Sequence, residues 1–223
     1  RRTVPVPAGM KAYGKQAAEQ ISVDATGALT VRSHNTYLGA YEANLRAGWK
    51  RVPEQARDQV MQQYLNGIAP GARLRAFDMA PPQDLSQPFF LAFDYQLPDY
   101  LGEAGPYRIL EIPDRAMDFP EVSLEARRYP LVYTTSRALE RTVEIDLPEG
   151  MTVAEIPPTT TIKGRHLSYR ESYDVADGRI LVTIAFERKS RRIPVGDYAD
   201  YRRQALAIQQ ATRKPVYLRM LAN

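Results

Sequence analysis

Cysteine is absent from the 223 residues. That removes disulfides, a thiol nucleophile and Cys-ligated zinc, and it fits a reducing or an oxidising compartment equally. Only two histidines are present, His34 and His166, and neither has a ligand-type partner two to four residues on, so no metal site is expected. No apolar run approaches the roughly 20 residues of a membrane-crossing helix. The chain has no G-x-x-x-x-G-K-[ST] and no G-x-G-x-x-G, so no phosphate cradle and no nucleotide cofactor are expected. It also lacks the G-x-S-x-G elbow and the acidic spacing of a calcium loop.

What is present is ordinary for a folded chain. Hydrophobic residues make up 44% and charged residues 25%. Fourteen Tyr, 6 Phe and 1 Trp carry too much apolar surface for a solvated coil. Thirty basic against 26 acidic residues gives a net charge of +4 with the signs well mixed, which is not a nucleic-acid footprint.

Residues 1–19 read as a loose opening segment. Gln20–Val23 and Ala28–Val31 alternate around Asp24-Ala25-Thr26-Gly27, a hairpin with glycine at the positive φ. Leu38, Tyr41, Leu45 and Trp49 recur at helical spacing. A second helix is expected from Pro53, with Ala56, Val60 and Tyr64 as its buried stripe and Asn66-Gly67 as its stop. Leu74–Phe77, Phe89–Leu97 and Tyr107–Ile112 read as strands. Residues 113–124, with Pro113 and Pro120 among acids, read as a crossing between two units. Beyond it, Arg141–Leu147 with Met151–Val153, and Leu167–Tyr173 with Ile180–Phe186, read as hairpins. A last helix is expected after Pro194, capped by Asp197 and carrying Tyr198, Tyr201, Ala205 and Ile208 on one face. The expected class is mainly β with a few helices, an antiparallel β-sandwich-like architecture in two subdomains. Residues 1–120 form a mixed β/α part, and 121–223 form a sandwich-like part with a C-terminal helix.

Candidate chemistry is thin. His34 and His166 read as hydrogen-bonded edge residues. Asp94, Asp99, Asp114 and Asp118 could pair across a cleft as acid and base, but Asp favours turns for local reasons. The basic run Glu187–Arg192 could meet an anion, yet it reads as a solvated connector. Phe89, Phe93, Tyr95 and Tyr100 are the candidate ligand-binding residues, since aromatic rows on a sheet stack sugars or peptides. The same spacing also fills a core. No catalytic, cofactor-binding or metal-binding residue is assigned.

Arg128-Tyr129-Pro130-Leu131-Val132, Val143–Gly150, Ile193–Tyr198 and Tyr201-Arg202-Arg203 together resemble the C-terminal β-rich region of bacterial exported transglutaminase-like proteins. Val23–Leu29, Gly39–Arg46 and Pro70-Gly71 resemble the segment just after the catalytic core of such proteins. The resemblance implies a periplasmic or cell-envelope protein whose Cys, His and Asp lie upstream of Arg1. The opening at Arg1, without Met, agrees with a piece of a longer chain. A non-catalytic accessory region, partnered by that upstream domain, is then the expected function. A carbohydrate- or peptide-binding module, taking cell-wall peptide or glycan, is the alternative. An autonomous hydrolase using paired carboxylates is the third.

Overall fold

A computed structural model describes residues 9–221. Among them the order is α1 (Met10–Tyr13), β1 (Gly14–Val23), β2 (Leu29–Gly39), α2 (Ala40–Trp49), α3 (Arg57–Ile68), β3 (Arg73–Met79), β4 (Phe89–Leu97), β5 (Gly102–Ala104) and β6 (Tyr107–Leu110). There follow β7 (Leu131–Val132), β8 (Arg137–Asp146), β9 (Met151–Glu155), β10 (Thr160–Lys163), β11 (Leu167–Ala176), β12 (Arg179–Arg188), β13 (Arg192–Ile193), α4 (Tyr198–Ala211) and β14 (Val216–Met220). The described residues are mainly β with four α-helices, as the alternating segments imply. None of the described helices is long and apolar enough to cross a membrane.

One eight-stranded sheet organises the molecule, in the order β10-β11-β12-β8-β1-β2-β4-β3. All its neighbours are antiparallel except β1 and β8, which run parallel with Ala17 opposite Arg141 and Ile21 opposite Ile145. A four-stranded sheet, β5-β6-β14-β9, and the short pair β13-β7 complete the set.

Period-two alternation gives the large sheet a dry face and a wet face. Ile21, Val31, Tyr95, Ile145 and Ile180 run across the dry face in register. The next strand positions on the wet side, such as Arg32, are exposed. His34 lies on that wet face, exposed and stacked on Phe90 at 5.1 Å. Three things cover the dry face. On one wing α2 and α3 pack, with Trp49 on Phe77 and Tyr64 edge-on to Phe93. On the other wing α4 buries Tyr201, Ala205 and Ile208. Between them passes the connection from Glu111 to Phe119. The small sheet adds Leu110, Val216 and Leu218 to the same core.

Several expectations need correction. Residues 14–19 are not loose: they are the first half of β1, a central strand, and residues 1–8 lie outside the described part. The hairpin is present, and Asp24 Oδ1 accepts from the Thr26 N–H at 2.8 Å and the Ala28 N–H at 3.0 Å. The second helix has a turn of 3-10 helix over Glu54–Ala56 before α3 begins, and it buries Met61 and Leu65 rather than Ala56, Val60 and Tyr64. The tertiary contacts with β3 and β4 choose a face one residue round from the expected stripe. Asn66-Gly67 does not stop it, because α3 continues to Ile68 and the positive φ falls at Gly71. Arg141–Leu147 and Met151–Val153 form no hairpin: β8 lies beside β1 and β12, whereas β9 pairs with β14. Strand β14, after the Pro215 that ends the helix, was not expected at all. The division at residue 120 does not fall between sheets, since β1 and β8 share one ladder.

Gly39 is a point of real constraint. It turns the chain from β2 into α2 at φ 63°, and a Cβ there would stand 2.4 Å from the Ala12 carbonyl oxygen. Both the backbone region and the contact exclude a side chain. Gly39→Ala is therefore expected to lower unfolding stability by about 1–3 kcal/mol or more, measured by urea denaturation.

Candidate functional site

Charged residues occupy the dry phase of three strands. Glu19 sits between Ala17 and Ile21 on β1, Arg141 between Leu139 and Val143 on β8, and Glu171 follows Tyr169 on β11. All three are buried. Sequence reading passed over them, although a charge on the apolar phase of an alternating strand is a readable signal.

Their partner is the crossing connection. Arg141 holds Glu19 through Nε–H to Oε1 at 3.1 Å and Nη2–H to Oε2 at 2.7 Å. It also donates to the carbonyls of Pro113, at 2.6 Å, and Asp114, at 2.8 Å. The next residue of the connection repeats the scheme. Arg115, itself buried, donates from Nε to Glu171 Oε1 at 2.6 Å, and to the carbonyls of Lys214 at 2.6 Å and Ala211 at 3.0 Å. Tyr169 and Tyr173 give their hydroxyls to Glu171 at 3.0 and 2.8 Å. Asp114, between the two anchors, adopts φ 54°. Residues 112–117 thus form a strap, tied by two forked arginine–carboxylate pairs to the sheet and to the end of α4. The extra bonds to carbonyls matter, because a buried ion pair recovers its desolvation cost only when its remaining donors are satisfied.

A cavity opens on each side of the strap, and Asp114 and Ala116 line both. The first, about 550 Å³, is walled by Pro70, Tyr100, Glu111, Arg213 and Lys214. Burial pushes the Tyr100 hydroxyl up to about 12. The second, about 590 Å³, is walled by Lys15, Tyr41, Tyr64, Tyr133, Arg137 and Arg188. Burial lowers the Lys15 ammonium from its ordinary value, with Asp114, 3.7 Å away, working in the opposite sense. Tyr133 donates to Glu121 at 2.6 Å and meets the Tyr201 hydroxyl at 2.6 Å; burial first, then these bonds, raises its hydroxyl.

Of the four aromatic candidates, Phe89, Phe93 and Tyr95 are core residues, at 0%, 4% and 2% exposure. β4 is an interior strand of the sheet and its dry face lies under α2 and α3, so their rings meet protein rather than ligand. Tyr100 alone reaches a cavity. Asp94 and Asp99 do not converge, since Asp94 is on β4 facing Arg32 and Asp99 takes a turn at φ 50°; Asp114 and Asp118 both line the second cavity, where Asp114 pairs with Lys15 and Asp118 with Arg213. The basic run is not a uniformly solvated connector either. Arg188 turns inward over the Tyr133 ring, 3.6 Å from its centroid, and donates to the Thr135 carbonyl at 3.2 Å.

His166 is not a simple edge residue. Its Nδ1 meets Ser190 Oγ at 2.8 Å and its Nε2 meets Asp197 Oδ2 at 2.7 Å. Arg165 reaches the same carboxylate at 3.3 Å. Ser, His and Asp are thus brought together from positions that sequence spacing could not connect. The ring is presented the other way from a serine-hydrolase triad, where the hydroxyl faces Nε2 and the carboxylate Nδ1. Ser190, His166 and Asp197 line neither strap cavity. The link joins the start of β11, the end of β12 and the start of α4. Asp197 makes no side-chain cap for α4, contrary to expectation, because its carboxylate is taken by the imidazole. No group of three or more His, Asp or Glu that could hold a metal occurs among the described residues.

A one-faced, strap-closed β-sheet with internal arginine pairs is the class of domain that these features define. The chain belongs to the family described as Domain of Unknown Function with solved-structure structure (DUF3858), whose model matches residues 107–218. That match begins at β6 and ends in β14, so it holds the strap, Arg141 and Glu171 but not Glu19. No curated protein matches the chain. Among solved structures, a protein from Parabacteroides distasonis ATCC 8503 described as a "putative protease" is similar over 51% of this chain and 23% of its own, at 14% identity and a TM-score of 0.44. The chain therefore spans about a quarter of that protein's length.

Arg141→Met leaves Glu19 buried without its partner and is expected to cost about 3–5 kcal/mol in urea unfolding, part of which returns when Glu19→Met is added. The His166 bond, ahead of Arg165, holds the Asp197 carboxyl below its usual 3.8. Stability from a depressed carboxyl is present above the ordinary value and lost as pH falls through the folded one. Asp197→Asn is therefore expected to be the less stable protein above pH 4, with the gap closing at lower pH in a series of denaturation curves.

Proposed function

We propose that this chain is a non-catalytic accessory region of a bacterial envelope transglutaminase-like protein, positioning or binding for a catalytic domain upstream in the same polypeptide. The observation that carries the reading is the use made of its buried carboxylates. Glu19 and Glu171 are each engaged by a guanidinium fork, and the spare guanidinium donors go to strap and helix carbonyls. A general acid or base needs a carboxyl free to exchange a proton with substrate. These two hold a strap. The lack of cysteine and the sequence resemblance to the C-terminal region of such proteins support the same reading. A periplasmic or cell-envelope location follows from that resemblance alone. The alternative, a carbohydrate- or peptide-binding module, retains only Tyr100 of its four aromatics.

The arrangement most able to contradict this reading is Ser190 with His166 and Asp197. The full chain, incubated with glutamine-peptide and amine substrates and with a panel of peptide amides, is expected to show no turnover above that of Ser190→Ala. Turnover that Ser190→Ala abolishes, in a variant with unchanged melting temperature, would make the chain an enzyme in its own right.

A further inference from the structure

We propose that the cavity between the strap and the Arg137–Arg188 end of the β8–β12 ladder is a binding site for a small carboxylate-bearing molecule with a short apolar body. The inference goes beyond the accessory role and holds whether or not a catalytic domain precedes the chain.

The sheet register brings like charges together there. Arg137 on β8 lies directly opposite Arg188 on β12. Both share the dry-face phase of Arg141 and Phe186, so their side chains leave the same side of the sheet. Directly opposed like charges destabilise a strand pair. Lys15 on β1, opposite Leu139 of β8, adds a third cation to the same cavity wall. Burial lowers its proton affinity, with Asp114 and Glu19 acting against Arg141 and Arg137.

The cavity's own acids pair with Lys15 but leave the two arginines unpaired among the described residues. Asp114 stands 3.7 Å from Lys15, Asp118 is held by Arg213, and Glu121 accepts from Tyr133. Neither Arg137 nor Arg188 forms an ion pair with any described residue. Moreover, Arg188 Nε is buried with no hydrogen-bond partner. Such a donor is costly unless something accepts from it. An anion seated between Arg137 and Arg188 would relieve the opposed charges.

The surroundings select the anion. Asp114, Asp118 and Glu121 also line this cavity, so a doubly charged phosphate meets about twice the repulsion that a monoanion does. A planar carboxylate also matches the guanidinium fork. Phe119, Leu139 and Phe186 supply an apolar wall beyond the cations. The volume, about 590 Å³, is in the range of sites that enclose small organic ligands.

The test is an NMR titration of the isotope-labelled full chain, following the arginine Nε–Hε signals. The probes are N-acetyl-dialanine, its C-terminal amide and inorganic phosphate. Saturable shifts are expected with the free acid, and at least about tenfold weaker binding of the amide and of phosphate. Arg137→Gln with Arg188→Gln is expected to weaken the acid by about tenfold while leaving the fold intact. Because the acid–amide comparison is made on the unaltered protein, it decides the matter even if the double variant misfolds. No saturable shift up to about 50 mM acid, equal binding of acid and amide, or tighter binding of phosphate would each overturn the proposal.

Discussion

Two arginine–carboxylate pairs, Arg141–Glu19 and Arg115–Glu171, hold the connection from Ile112 to Met117 against the dry face of the large sheet. Charges in such a place are expensive, and they persist only because each guanidinium finds a carboxylate fork and two backbone carbonyls. The carbonyls are the informative part. A strap with no regular secondary structure carries backbone acceptors across a buried surface, and those acceptors must be satisfied. Arg141 satisfies those of Pro113 and Asp114, while Arg115 reaches from the strap to the carbonyls at the end of α4. The sheet thereby gains a cover that neither a helix nor a strand provides, and the wings occupied by α2–α3 and by α4 are joined into one core.

The strap also shapes the rest of the molecule. It separates two cavities, and its own residues Asp114 and Ala116 face both. At one end of the central strands, Lys15 and Arg188 are half-buried against the second cavity, and Arg137 lines it while exposed to solvent. The same use of side chains occupies the buried carboxylates of Glu19 and Glu171. Their oxygens are already occupied in holding the fold. Outside the strap, the Ser190–His166–Asp197 link does a related task, binding two strand ends to the start of α4 through one imidazole.

Residues 107–218, the segment that defines the family, do not form a closed unit of hydrogen bonding. Strand β8 takes β1 as its parallel neighbour, and Arg141 takes its carboxylate from that strand. The preceding half of the chain thus completes a sheet that the family segment begins. The β1–β8, β2–β4 and β8–β12 ladders join strands that are not consecutive in the chain, so no hairpin announces them, and β1–β8 is the parallel one.

Local order was legible wherever neighbouring residues decide it. The Asp24–Gly27 turn, the full length of β4, the β11–β12 hairpin and the apolar face of α4 follow from alternation, helical period and turn chemistry, and the mainly β class follows from their sum. What the sequence could not disclose is which strand stands beside which. Met151–Val153 has the look of a hairpin partner for β8, yet β14 claims it, because β1 and β12 already occupy both edges of β8. The candidate site is the same kind of fact. Glu19, Asp114, Arg115, Arg141 and Glu171 are scattered over more than half the chain, and their charges read as surface until the register places them on one dry face. Phe89, Phe93 and Tyr95 show the converse: an aromatic row reads alike as ligand platform or as core, and only the helices packed above it make it core. Patterns of period two and 3.6 encode which side of an element is dry; the partner on that side is set by packing across distances that no local pattern records.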